Sequence, residues 1–169
     1  MLSRINTQNP VMKSQSTDNT PHKLVLLIDD SSIDNFVNQK MIELNAFSEE
    51  VIAFTRATKA LNYLTELDKS NKADSKIPSI IFLDLNMPIM NGIEFIKQYE
   101  NLSEKIKNNC RIIILTSSIN PADIDTTNNN ECVLTNLNKP LMKNNFDLID
   151  LLIYESEYKT GKVKTKVSA

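Results

Sequence analysis

Unbroken apolar runs of strand length set the tightest limit on what this chain can fold into. Leu24–Ile28 is continuous, and so are the apolar stretches inside SIIFLD and RIIILTSS. A strand wetted on one face alternates apolar and polar residues, whereas a strand covered on both faces does not. Segments with helical periodicity lie between these runs. Ile33, Val37, Met41 and Leu44 fall on one helical face with Phe36 beside them. Ser31 and Asp34 have capping-box spacing at its start. EEVIAF is a second strand, and Ala57, Ala60, Leu61 and Leu64 form a second amphipathic face. Ile93, Ile96 and Tyr99 carry a third helix, and Phe146, Ile149, Leu152 and Ile153 carry the last. NPADIDTTNNN begins like a helix, with Asn120 as cap and Pro121 in the first position, but has almost no apolar face. CVLTNLNKP supplies a fifth strand. The chain thus reads strand–helix five times, which predicts a doubly wound parallel α/β sheet with helices on both faces.

In such sheets ligands bind beyond the carboxyl ends of the strands. Strand one ends in Asp29 and Asp30, strand three in Asp84 and strand four in Thr116 and Ser117; strand five runs into Lys139 and Pro140. A carboxylate beside an apolar core is costly unless it is paired or bound. Three acids gathered together also disfavour joint ionisation. A hard cation removes that conflict, and Mg²⁺ takes oxygen ligands without His or Cys, with Mn²⁺ as a substitute. The chain has one His, His22, assigned to the lead-in. The expected roles are Asp84 as acceptor of a phosphoryl group, and Asp29, Asp30, Asp84 and the backbone carbonyl of Asn86 as metal ligands. Lys139 and the Thr116 hydroxyl would meet the phosphoryl oxygens.

Composition bounds the remaining classes. The 169 residues are 41% hydrophobic and 24% charged with a net charge of −2, which fits one globular domain and argues against a nucleic-acid binder. No apolar run approaches the roughly 20 residues of a membrane helix. The N-terminal segment has no apolar stretch of signal-peptide length. Cys110 and Cys132 have no metal or redox spacing, and Cys132 reads as a buried free thiol. The expectation is a cytoplasmic protein without membrane or nucleic-acid partners. Residues 1–22 read as a disordered extension, 23–158 as the folded domain and 159–169 as a short basic tail.

The segments LLIDDSS, IIFLDLNMPIMNG, IIILTSS and NKP, in this order and spacing, resemble the receiver domain of bacterial two-component response regulators. The resemblance covers about residues 23–157. It implies a flavodoxin-like five-stranded sheet of order 2-1-3-4-5. It implies that Asp84 takes phosphate from a phosphohistidine on a histidine kinase or phosphotransfer protein, in a phosphorelay read out by a downstream protein. It implies that Lys139 contacts the phosphoryl group, that Thr116 shifts toward it, and that the Lys139–Pro140 bond is open to the cis form. Asn86 and Ser118 match positions that tune aspartyl-phosphate lifetime. The chain departs from the pattern in three places: Asn136 stands where an aromatic switch is usual, NNNEC replaces a Gly-Ala turn, and the fourth helix is polar. No output domain fits in the remaining residues, so a stand-alone receiver is expected, not an enzyme acting on other substrates. Two alternatives stay open. One is a degenerate receiver that binds partners unphosphorylated. The other is a haloacid-dehalogenase-like phosphatase, whose second acid would fall at Asn86.

Overall fold

A computed structural model describes residues 22–70, 76–117 and 120–161. In chain order the elements are β1 (His22–Ile28), α1 (Ser32–Leu44), β2 (Ser48–Phe54), α2 (Ala57–Lys69), β3 (Ile80–Leu83) and α3 (Gly92–Tyr99). They continue with α4 (Glu104–Lys107), β4 (Arg111–Thr116), α5 (Pro121–Asn128), β5 (Val133–Asn138) and α6 (Lys143–Lys159). The five strands form one parallel sheet of order β2-β1-β3-β4-β5. This is the flavodoxin-like order.

The continuous apolar runs are explained by two cores, one on each face of the sheet. Leu24, Leu26, Ile28, Ile81, Leu83, Ile112 and Ile114 point to one face, where Ala60 and Leu64 of α2, Phe95 and Tyr99 of α3 and Ile106 of α4 cover them. The alternate residues, Val25, Leu27, Ile80, Phe82, Ile113 and Leu115, point to the other face. There Ile42 of α1 and Phe146 and Ile149 of α6 close the layer. Both faces are dry, so neither can carry the polar half of an alternating pattern.

Four expectations change. The apolar residues of α1 face outward, with Ile33 73%, Phe36 61% and Leu44 79% exposed. The buried face is Asn35, Asn38 and Ile42, and only Met41 of the expected set packs partly against the core. The cause is backbone polarity at the carboxyl edge. Asn35 Nδ2 donates to the carbonyls of Asp29 (2.8 Å) and Phe54 (3.3 Å), and Asn38 Oδ1 accepts the amide of Leu141 at 3.1 Å. Two side-chain amides that hydrogen-bond main-chain groups win the inward positions over apolar residues. A sixth helix, α4, precedes β4. It is four residues long with one buried apolar residue, Ile106, too little to register as periodicity. His22 opens β1 and does not lie in the lead-in. Its ring stands 4.6 Å from that of Phe47, and its Nε2 lies 3.3 Å from Asp150 Oδ1 on α6. Cys132 is half-buried at the core margin rather than enclosed, whereas Cys110 is buried.

The expected extension at residues 1–22 and the tail at 159–169 lie outside the described residues, apart from His22 at the start of β1 and Lys159–Gly161 at the end of α6. No helix among the described residues is long and apolar enough to cross a membrane.

The Asn38–Leu141 bond yields a first prediction. Asn38→Ala leaves the amide of the fully buried Leu141 without its acceptor. Urea unfolding should show a loss of about 2 kcal/mol, and a loss under 0.5 kcal/mol would contradict this account.

Candidate functional site at the carboxyl edge

The carboxyl ends of β1, β3, β4 and β5 bring together most of the residues singled out from the sequence. Asp29 and Asp84 directly follow β1 and β3. Their main chains continue the ladders, with the Asp29 amide donating to Phe54 O (3.1 Å) and the Asp84 amide to Ile28 O (2.9 Å). Both residues are buried, at 4% and 5% exposure, while Asp30 is exposed. One carboxylate oxygen from each of Asp29, Asp30 and Asp84 falls within 4.8 Å of the others.

Lys139 directly follows β5. Its amide donates to the carbonyl of Thr116 (3.2 Å), and the cis Lys139–Pro140 bond follows. Its ammonium lies 2.6 Å from Asp29 Oδ2, 3.1 Å from Asp34 Oδ2 and 3.4 Å from Asp84 Oδ1. Burial works to lower the Lys139 pKa. Pairing with Asp29, the charge of Asp84 and the bond to Asp34 outweigh it, and the net shift is upward. For Asp29 the balance falls the other way. Burial raises its carboxyl above the usual range, against the opposing pull of Lys139 and of the Ser31 amide, which donates to Asp29 Oδ1 at 2.9 Å.

Thr116 is buried at the end of β4. Asn86, two residues beyond Asp84, is exposed. It lines a cleft of about 480 Å³ with Leu85, Met87, Asn91, Ile93 and Asp123. Ser118 lies outside the described residues. The loop from Asp84 returns to the sheet through Gly92, whose amide donates to Leu85 O at 3.0 Å. Asn91 and Glu94 then close a capping box on α3. A Cβ on Gly92 would sit 2.6 Å from the carbonyl oxygen of Asp84, so only glycine fits there.

The donor set suits a hard cation: three carboxylates supply oxygen ligands, and no sulfur or imidazole intrudes. A cation would also offset the burial that holds Asp29 high.

Two features escaped the sequence. Asp34 has capping-box spacing, and its amide donates to Ser31 Oγ at 3.2 Å. Its carboxylate does not complete the box but turns to Lys139. An Asp at that position, one methylene shorter than the Glu of a full box, was the available signal. The other is the pairing of Asn136, which the sequence marks only as a replacement for an aromatic. Its Nδ2 donates to Asn128 Oδ1 on α5 at 2.5 Å, while its buried Oδ1 has no hydrogen-bond partner. The pair lines a cleft of about 340 Å³ that also includes Leu85, Thr116 and Ile124.

This fold has clear relatives. The model of the response regulator receiver domain family matches residues 25–149. Response regulator Rcp1 from Synechocystis sp. is 29% identical over 112 residues, covering 64% of this chain and 71% of Rcp1. A two-component response regulator from Cytophaga hutchinsonii is 32% identical in its crystal structure, with a TM-score of 0.70 over 80% of this chain and 99% of that one. The Mn²⁺-bound form of Rcp1 shares the fold at 22% identity, with a TM-score of 0.58 over 84% of this chain and 97% of that one. With the acidic strand ends, the paired lysine and the sheet order all in place, this chain belongs to the response regulator receiver domain family.

Proposed function

We propose that this chain is a phosphoacceptor response regulator in which Asp84 receives a phosphoryl group from a phosphohistidine of a histidine kinase or phosphotransfer protein. The observation that carries this reading is a buried carboxylate, Asp84, with an ammonium 3.4 Å away and two further acids within 4.8 Å. An Asp84 oxygen attacks phosphorus, and the P–O bond forms as the P–N bond breaks. The imidazole leaves with the bonding pair and takes up a solvent proton. Asp29, Asp30, Asp84 and the Asn86 backbone carbonyl would hold Mg²⁺, or Mn²⁺ in its place. The bound cation supplies charge neutralisation at the transferring phosphoryl oxygens. Lys139 orients those oxygens as a compact cation, and the Thr116 hydroxyl donates to them once transfer is complete. The same groups support the chain's own phosphorylation from small donors and its own dephosphorylation, without turnover of other substrates. The receiver unit runs from His22 to Lys159, the outer bounds of β1 and α6. The donor places its work in the cytoplasm, and a downstream protein reads the phosphorylated state.

The test is intact mass after incubation with acetyl phosphate or phosphoramidate and Mg²⁺. Wild type should gain one phosphate and Asp84→Asn none. Equal labelling of both would move the acceptor elsewhere. No labelling of either folded protein would favour a module that binds its partner unphosphorylated, a reading to which Asn136 at the usual aromatic position lends its support.

A further inference from the structure

Among the described residues Lys139 has three carboxylate partners, and the one it is expected to serve on phosphorylation is the most distant. Asp84 stands at 3.4 Å, against 2.6 Å for Asp29 and 3.1 Å for Asp34. The ammonium is therefore drawn toward β1 and α1 and away from the acceptor. Asp29 is a proposed metal ligand, so cation binding at the acid cluster takes away part of the pull that Asp29 exerts. Asp34 belongs to no such set. It sits in the first turn of α1, its amide is fixed by Ser31 Oγ, and its carboxylate has turned out of the capping geometry to accept from Lys139 Nζ. Its side chain is 42% exposed and that of Lys139 is 13% exposed, so this is a half-solvated contact that can break without burying an unpaired charge.

We propose that Asp34 is a positioning residue that restrains Lys139 on the α1 side in the unphosphorylated protein and competes with the phosphoryl group for the ammonium. This rests on the reading of Asp84 as acceptor. A tetrahedral anion on Asp84 and the Asp34 carboxylate both want the same three N–H donors. Forming the phosphorylated state therefore includes loosening the Asp34–Lys139 bond, and removing that bond in advance favours the anion-bound state. The size follows from a partly exposed ion pair, about two- to five-fold in affinity.

The probe is beryllofluoride, titrated at saturating Mg²⁺ and followed by amide NMR. Wild type, Asp34→Asn, Lys139→Ala and the double variant are compared, with Asp34→Glu as the conservative replacement. Asp34→Asn should bind beryllofluoride about two- to five-fold more tightly than wild type, and the gain should vanish when Lys139 is already alanine. Asp34→Glu should fall back toward wild type. A role of Asp34 in supporting α1 alone would weaken binding with or without Lys139. A general charge effect would persist in the Lys139→Ala background. Unchanged or weaker binding by Asp34→Asn, or an equal gain in both backgrounds, overturns the proposal while leaving Asp84 as acceptor. Failure of wild type to bind beryllofluoride at all removes the acceptor reading, and this one with it.

Discussion

Gly92→Ala is expected to lower unfolding stability by about 3 kcal/mol and to weaken binding at the acid cluster in the same step. The added Cβ would lie 2.6 Å from Asp84 O and 2.9 Å from both Leu85 Cα and Leu85 Cδ2. The first two are backbone atoms and cannot rotate aside. They belong to the very residues that lead the chain out of β3, so relief requires α3 to retreat from the end of that strand. Overpacking of this kind typically costs about 1–3 kcal/mol, and the upper end applies because the obstacles are main chain. The Gly92 amide bond to Leu85 O would stretch as well. Urea unfolding measures the first effect, and beryllofluoride titration with Mg²⁺ measures the second. A variant within 0.5 kcal/mol of wild type would show that the loop yields more easily than its contacts imply.

Lys139→Ala should be comparably damaging, but in a way that depends on pH. The side chains of Asp29 and Asp84 are each 6% exposed and share this one ammonium. Removing one partner of a buried pair typically costs about 3–5 kcal/mol, and the lower end suits a site with a solvated margin at Asp30 and Asp34. Burial already holds the Asp29 carboxyl above its ordinary range, and loss of the ammonium raises it further. A carboxyl raised in the folded state carries no penalty below its unfolded pKa. The penalty grows as pH rises through the folded value, where the unfolded chain gives up its proton first. The lysine itself is raised from 10.5, so in wild type its contribution is intact below that value and is lost only as pH climbs through the folded one. The difference between variant and wild type should therefore be largest near neutrality and shrink toward pH 4. Mg²⁺ should recover part of it, since a cation takes over the neutralising role. Denaturant unfolding at several pH values, with and without Mg²⁺, reads all of this. A loss independent of pH would mean that Lys139 stabilises through packing alone.

The sheet was legible because strands buried on both faces leave unbroken apolar runs, and Leu24–Ile28, Ile80–Leu83 and Ile112–Leu115 are all such runs. The rule that ligands gather at carboxyl ends then located Asp29, Asp30, Asp84, Thr116 and Lys139 at one edge. What escaped depends on contacts that no local pattern encodes. On α1 the apolar periodicity is real, but Asn35 and Asn38 face inward because the carbonyls of Asp29 and Phe54 and the amide of Leu141 meet them there. Ile89 adopts φ +72, a region that β-branched residues rarely enter, and nothing in its neighbourhood announces this. The turn of Asp34 toward Lys139 spans 105 positions of sequence. It follows from topology, not from the spacing that first drew notice to it.

The weak apolar face of α5 has a consequence for how stability is distributed through the molecule. Its single fully buried side chain is Thr127, whose hydroxyl donates to carbonyls of the same helix, Asp123 and Ile124. Its tie to β5 includes the Asn136–Asn128 amide bond, and one such bond contributes only about 1 kcal/mol. The central strands, by contrast, can release their amides to solvent only if both cores come apart. Local opening is therefore costly in the central strands and cheap in α5. Beside the carboxyl edge, α5 is cheaper to rearrange than the central strands, and it can move while the sheet that carries Asp84 stays closed.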